Sequence, residues 1–215
     1  MFKLFIILLV AGIIELGFLF FVADSDMLEV VLTNEVEKVQ YWFGKDGANS
    51  IVKKTNSIYE TAFVSTGLVE TSFALTQASL ISEDDPLFEN RSDGIINFTE
   101  HIQSWLNGRI TAFWRVIYHA IVRLYIFVEW VPFIVLLTLP AVVEGLVRRE
   151  IKKISFGYSS PVIYNAALQT LPFTIALPAI YLFLPMDSSP IIPLLWGVLM
   201  SGLQFFMFSN LQKRI

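Results

Sequence analysis

The sequence predicts an all-α membrane protein: four transmembrane helices, with a helical periplasmic segment between the first and the second. Three observations carry that prediction. Hydrophobic residues make up 55% of the chain and charged ones only 16%, with a mean hydropathy of +0.63, more apolar material than one soluble core accommodates. The apolar residues gather into four stretches of membrane-spanning length. The charges gather elsewhere, so the net charge of −4 sums an acidic segment and separate basic clusters. The chain has no Cys, which removes disulfides, thiolate metal ligands and cysteine nucleophiles together.

Residues 1–23 read as an N-terminal anchor. Phe2–Ala23 carries only Lys3 and Glu15 as charges, and as a helix it is about 33 Å long against a hydrocarbon core of about 30 Å. Phe21 stands where a signal-peptide cleavage site needs a small side chain, so the anchor is expected to stay uncleaved.

Residues 24–120 change character, with acidic residues outnumbering basic ones two to one. Behind a capping candidate at Asp24 or Ser25, Leu28, Leu32, Val36, Val39 and Phe43 form an amphipathic stripe that Gly44 and Gly47 should break. Ile51, Ile58, Ala62, Ser65 and Val69 continue the helical spacing, and Ser82–Gly94, with Asp84-Asp85-Pro86, reads as a loop. A third stripe, Phe98, Ile102, Leu106, Ile110, Phe113, Ile117, Ala120 and Leu124, runs into the next apolar stretch without a breaker. Trp105, Trp114 and Trp130 suit either a headgroup boundary or the core of a helical bundle.

Residues 121–215 form the three-helix membrane region. Leu124–Val143 is its first span, followed by a basic loop at 144–160 that holds Arg148, Arg149, Lys152 and Lys153 and stops near Phe156-Gly157. Ser160-Pro161 supplies a cap and a first-turn proline for Val162–Leu184. Met186–Pro190 is a tight turn, and Ile191–Leu211 is the last span. The basic clusters, with Lys3, Lys213 and Arg214, all fall on one face of this topology, which puts both termini in the cytoplasm and the acidic segment in the periplasm.

Few residues suggest chemistry. Glu15, Arg123 and Glu129 are charges in or beside spans, where each costs roughly 2.5–3.5 kcal/mol unless it faces protein, water or a partner. They are the residues around which a small transporter or channel subunit would be built, although helix packing is the plainer role for Glu15. Six prolines (Pro132, Pro140, Pro172, Pro178, Pro190 and Pro193) should kink the last three spans, and Gly197 with Ser201 allows close helix packing, within the chain or in a homo-oligomer. His101 and His119 have no metal-binding neighbours in sequence and read as interfacial or capping residues. No catalytic motif is present, so no enzyme activity and no cofactor is expected; without a broad basic face, neither is direct nucleic-acid binding. A sensor is a weaker reading, since no output domain follows the spans. The basic loop suits anionic lipid headgroups or a cytoplasmic partner.

Gly145-Leu146-Val147-Arg148-Arg149-Glu150-Ile151-Lys152-Lys153, then Phe156-Gly157-Tyr158-Ser159-Ser160 and Val162-Ile163-Tyr164-Asn165-Ala166-Ala167, resembles the integrating conjugative element membrane protein family and, at a distance, TraJ-like proteins. Ser159 and Ser160 depart from that family's turn, and Asn165 stands where it has a His. The resemblance implies a multi-pass protein of the bacterial inner membrane that acts as a non-catalytic accessory of conjugative type IV secretion. Its implied partners are other secretion-system membrane proteins, including the coupling ATPase. It also singles out Arg148, Arg149, Lys152, Lys153, Gly157 and Tyr164 as the partner-binding region.

Overall fold

The computed structural model describes residues 2–21, 25–80 and 93–211, and every regular element among them is a helix. These are α1 (Phe2–Phe21), α2 (Ser25–Tyr59), a π-helical turn (Glu60–Val64), α3 (Leu68–Leu80), α4 (Asp93–Ile154), α5 (Pro161–Phe183) and α6 (Ile192–Ser209). The candidate cap at Asp24 and most of the loop expected at Ser82–Gly94 lie outside the described residues, as do Lys213 and Arg214.

Three of these helices, not the expected four, are long and apolar enough to cross a membrane: α4 over His101–Ile154, α5 and α6. In α1 the described apolar stretch is Leu4–Phe18.

The chain forms two compact units. The acidic unit comprises Glu15–Val122 and Pro185–Asp187. Its core includes Leu28 and Ala112, against which Phe18 and Val116 pack. Gly44 interrupts α2 with φ 73 and ψ 173, a conformation that disfavours any residue with a Cβ. Gly47 stays helical, and a second break falls at Gly67 (φ 75), before α3. The buried face of α2 is Leu28, Glu35, Val39, Ala48, Ile51 and Thr55, whereas Ile58, Ala62 and Ser65 of the expected stripe are exposed. In α4 Ala120 of the expected stripe is buried and Ile102, Leu106, Ile110 and Ile117 are half-buried, whereas Phe98, Phe113 and Leu124 are exposed and Ala112, His119 and Val122 are buried as well.

The apolar unit holds Met1–Ile14, Arg123–Leu184 and Ser188–Ile215. Here α5 and α6 pack as a hairpin against the C-terminal half of α4. Ser160 caps α5, its hydroxyl accepting from the Ile163 N–H at 3.3 Å, with Pro161 in the first turn. Pro178 has no N–H to offer the Thr174 carbonyl, and the Trp196 indole N–H donates to that carbonyl instead, at 2.7 Å. Gly197 lets α6 reach α4 closely, since a Cβ there would lie 2.7 Å from Ile134 Cγ1. One turn on, the Ser201 hydroxyl lies 3.2 Å from that of Thr138.

Candidate functional site

The basic loop is built at the end of α4. Its last turn closes with the Gly157 N–H donating to the Lys152 carbonyl at 2.8 Å, a six-residue closure that forces the residue before the glycine into the left-handed region. That residue is Phe156, at φ 53, a costly conformation for a bulky side chain, and it is 96% exposed. Ile154 and Tyr158 beside it are also exposed.

The four basic residues separate into different roles. Lys152 points inward, donating to the Ser209 carbonyl at 3.0 Å and to Asn210 Oδ1 at 3.1 Å. It thereby places a cation on the C-terminal carbonyls of α6, where the helix dipole favours one. Asn210 Oδ1 also accepts from the Ser160 N–H at 3.2 Å, and the Asn210 amide donates to the Phe206 carbonyl at 3.0 Å. One buried side chain thus joins the end of α4, the start of α5 and the end of α6. Arg148 pairs with Glu144 at 2.8 Å on the surface and lies over the Phe205 ring, and Lys153 pairs with Glu150. Arg149 is half-buried, its Nε without a hydrogen-bond partner among the described residues. Tyr164, one turn into α5, is half-buried.

Glu15, Arg123 and Glu129 do not form one constellation. Arg123 is fully buried and donates to the Tyr181 and Leu184 carbonyls, both at 2.6 Å, with its guanidinium over the Tyr181 ring. It caps the C-terminus of α5, as Lys152 caps α6. Glu15 belongs to the acidic unit, with Oε1 buried and unpartnered among the described residues, and Glu129 belongs to the apolar unit. An apolar groove of about 360 Å³ between α4, α5 and α6, lined by Phe127, Leu177, Pro178, Tyr181, Trp196 and Leu199, includes none of the three.

The acidic unit contains two features that the sequence did not suggest. Glu35 and His119 form a buried hydrogen-bonded pair, so His119 is neither interfacial nor a cap. A cleft of about 450 Å³ lies beside the π-helical turn, lined by Leu28, Leu32, Tyr59, Phe73, Trp114 and Tyr118, with the Glu29–Arg115 ion pair (2.9 Å) on its wall. Trp114 donates to the Ser72 hydroxyl at 2.9 Å and Tyr118 to Asn56 Oδ1 at 2.6 Å, which fixes the aromatic wall. Burial raises the Tyr59 phenol above its ordinary value, so it stays neutral through the physiological range. Trp114 and Trp130, the latter bonded to the Pro190 carbonyl at 2.7 Å, belong to the two cores, whereas Trp105 is exposed with Arg109 over its ring. Among the described residues no group of three or more His, Asp or Glu is placed to hold a metal.

A family model described as IncC plasmid conjugative DNA transfer protein DtrJ-like matches residues 23–212. No curated protein and no solved structure matches the chain. The match agrees with the conjugative sense of the resemblance read from the α4–α5 region, and it assigns neither the integrating-element family nor a TraJ-like one. Because it takes in nearly the whole chain, the protein belongs to the DtrJ-like family of conjugative DNA transfer proteins.

Proposed function

We propose that this protein is a non-enzymatic scaffold of the bacterial inner membrane that serves a conjugative type IV secretion apparatus beside its coupling ATPase. The observation that carries this reading is the α4–α5 turn. From behind, Lys152, Asn210 and Ser160 tie it to α6; in front, it presents Arg148, Phe156 and Tyr158. A surface held rigid before binding loses little entropy when a partner docks. Lys152 is a structural tie on this reading, and Arg148, Arg149, Phe156 and Tyr158 meet the partner. Positive residues favour the cytoplasm, which puts this turn there and the acidic segment in the periplasm.

Co-purification from detergent tests the assignment. The Arg148→Glu/Arg149→Glu protein should insert and fold normally but no longer retain the coupling ATPase; retention equal to wild type would refute the proposed surface.

A further inference from the structure

Three of the four basic residues at the end of α4 find partners within the chain: Arg148 in Glu144, Lys153 in Glu150, and Lys152 in Ser209 and Asn210. Arg149 does not. Its side chain is half-buried, and among the described residues no acceptor meets its guanidinium, the buried Nε included. A partly desolvated guanidinium calls for an anion.

The face of α4 that carries Arg149 indicates which anion. Val135, Val142 and Arg149 recur at seven-residue steps and so share one side of the helix. On that side a groove of about 230 Å³ runs between α4 and α6, lined by Val135, Thr138, Leu139, Trp196, Met200 and Gln204. Its two most polar members differ: the Thr138 hydroxyl lies against that of Ser201, whereas the Gln204 amide has no hydrogen bond among the described residues. The two helices run parallel, with Gly197 against Ile134, Ser201 against Thr138 and Ser209 against Lys152. Gln204 therefore lies about one turn beyond Thr138 towards the basic end, and Arg149 lies roughly 10 Å beyond Gln204. From the basic end inward the order is cation, amide, apolar groove. A phospholipid presents phosphate, ester carbonyl and acyl chain in that same order.

We propose that Arg149, Gln204 and the α4–α6 groove form a binding site for one anionic phospholipid. The Arg149 guanidinium holds the phosphate, the Gln204 amide donates to an ester carbonyl, and an acyl chain occupies the groove past Thr138 and Met200. A basic residue between membrane helices on the cytoplasmic side suits such a headgroup. Phosphatidylglycerol fits better than phosphatidylethanolamine, whose ammonium group cancels the phosphate charge beside Arg148 and Lys153. In the surface proposed for the turn, Arg149 then meets the partner through the lipid phosphate, and Arg148, Phe156 and Tyr158 meet it directly.

This inference rests on the membrane reading of α4 and α6 and is independent of which protein docks. The full chain, extracted in dodecyl maltoside, is titrated with phosphatidylglycerol or phosphatidylethanolamine, with and without inorganic phosphate, and bound lipid is counted by native mass spectrometry. Wild type should retain one phosphatidylglycerol, bound about tenfold more tightly than phosphatidylethanolamine. Arg149→Gln should lose that preference. Leu139→Trp, which fills the groove from an exposed position, should weaken phosphatidylglycerol as well. Lys153→Gln removes the same charge one turn on and should bind as wild type does. Equal binding of the two lipids, or equal losses from Arg149→Gln and Lys153→Gln, would reduce the site to a general basic surface and overturn the proposal. Displacement of the lipid by an equal concentration of inorganic phosphate would show that no acyl chain is held, which also overturns it. Both results leave the membrane reading intact, whereas a chain that stays in solution without detergent would overturn that reading and the site together.

Discussion

At Asn210 a single buried amide joins three helix ends, with its oxygen accepting from Lys152 and the Ser160 backbone. Asn210→Ala leaves the Ser160 N–H without its acceptor and Lys152 with the Ser209 carbonyl, and should lower stability by about 1–3 kcal/mol, read as an earlier thermal transition in detergent. Glu35 and His119 form the corresponding tie in the acidic unit. His119→Ala leaves the buried Glu35 side chain without that partner and should cost about 3–5 kcal/mol, whereas replacing both residues with Leu should recover most of that, because neither buried polar group is then left without its partner. Phe156 behaves oppositely. Phe156→Gly relieves the left-handed backbone and should raise stability by about 1–2 kcal/mol, yet it removes the most exposed ring of the turn, so retention of the partner should fall. A variant both more stable and fully competent would exclude Phe156 from the partner surface.

Helix packing in the apolar unit depends on repairs to broken backbone. Trp196→Phe removes the donor that Pro178 made necessary and should destabilise by about 1–3 kcal/mol; with Pro178→Ala, which restores an N–H to the Thr174 carbonyl, the same change should cost markedly less. Equal costs in both backgrounds would show that the indole bond does not carry the packing. Which residues would form helices was largely legible, because apolar periodicity and the punctuation at Gly44 and Ser160-Pro161 are local signals. Which faces those helices bury was less so. Leu28, Val39, Ile51 and Ala120 of the expected stripes are buried, but the buried lines also pass through Glu35, Ala112, His119 and Arg123. A buried polar residue is legible only with its partner, and these partners lie far away in sequence: Glu35 with His119, Arg123 with the end of α5. The division of the basic loop was hidden for the same reason, since Lys152 and Arg148 look alike until α6 is seen to receive one of them.

For the molecule as a whole, the charge segregation along the chain is the feature that composition exposes most directly. The cleft beside the π-helical turn left no sequence signal at all, as its wall is assembled from α2, α3 and α4. On the proposed function, a rigid turn at the end of α4 serves conjugative transfer from within the membrane. Its most direct test is transfer frequency from a donor whose copy of the gene is deleted and complemented either with the wild-type chain or with Arg148→Glu/Arg149→Glu, membrane levels being matched. The wild-type chain should restore transfer and the variant should not; transfer that persists in the deletion, or that the variant restores in full, would contradict the account.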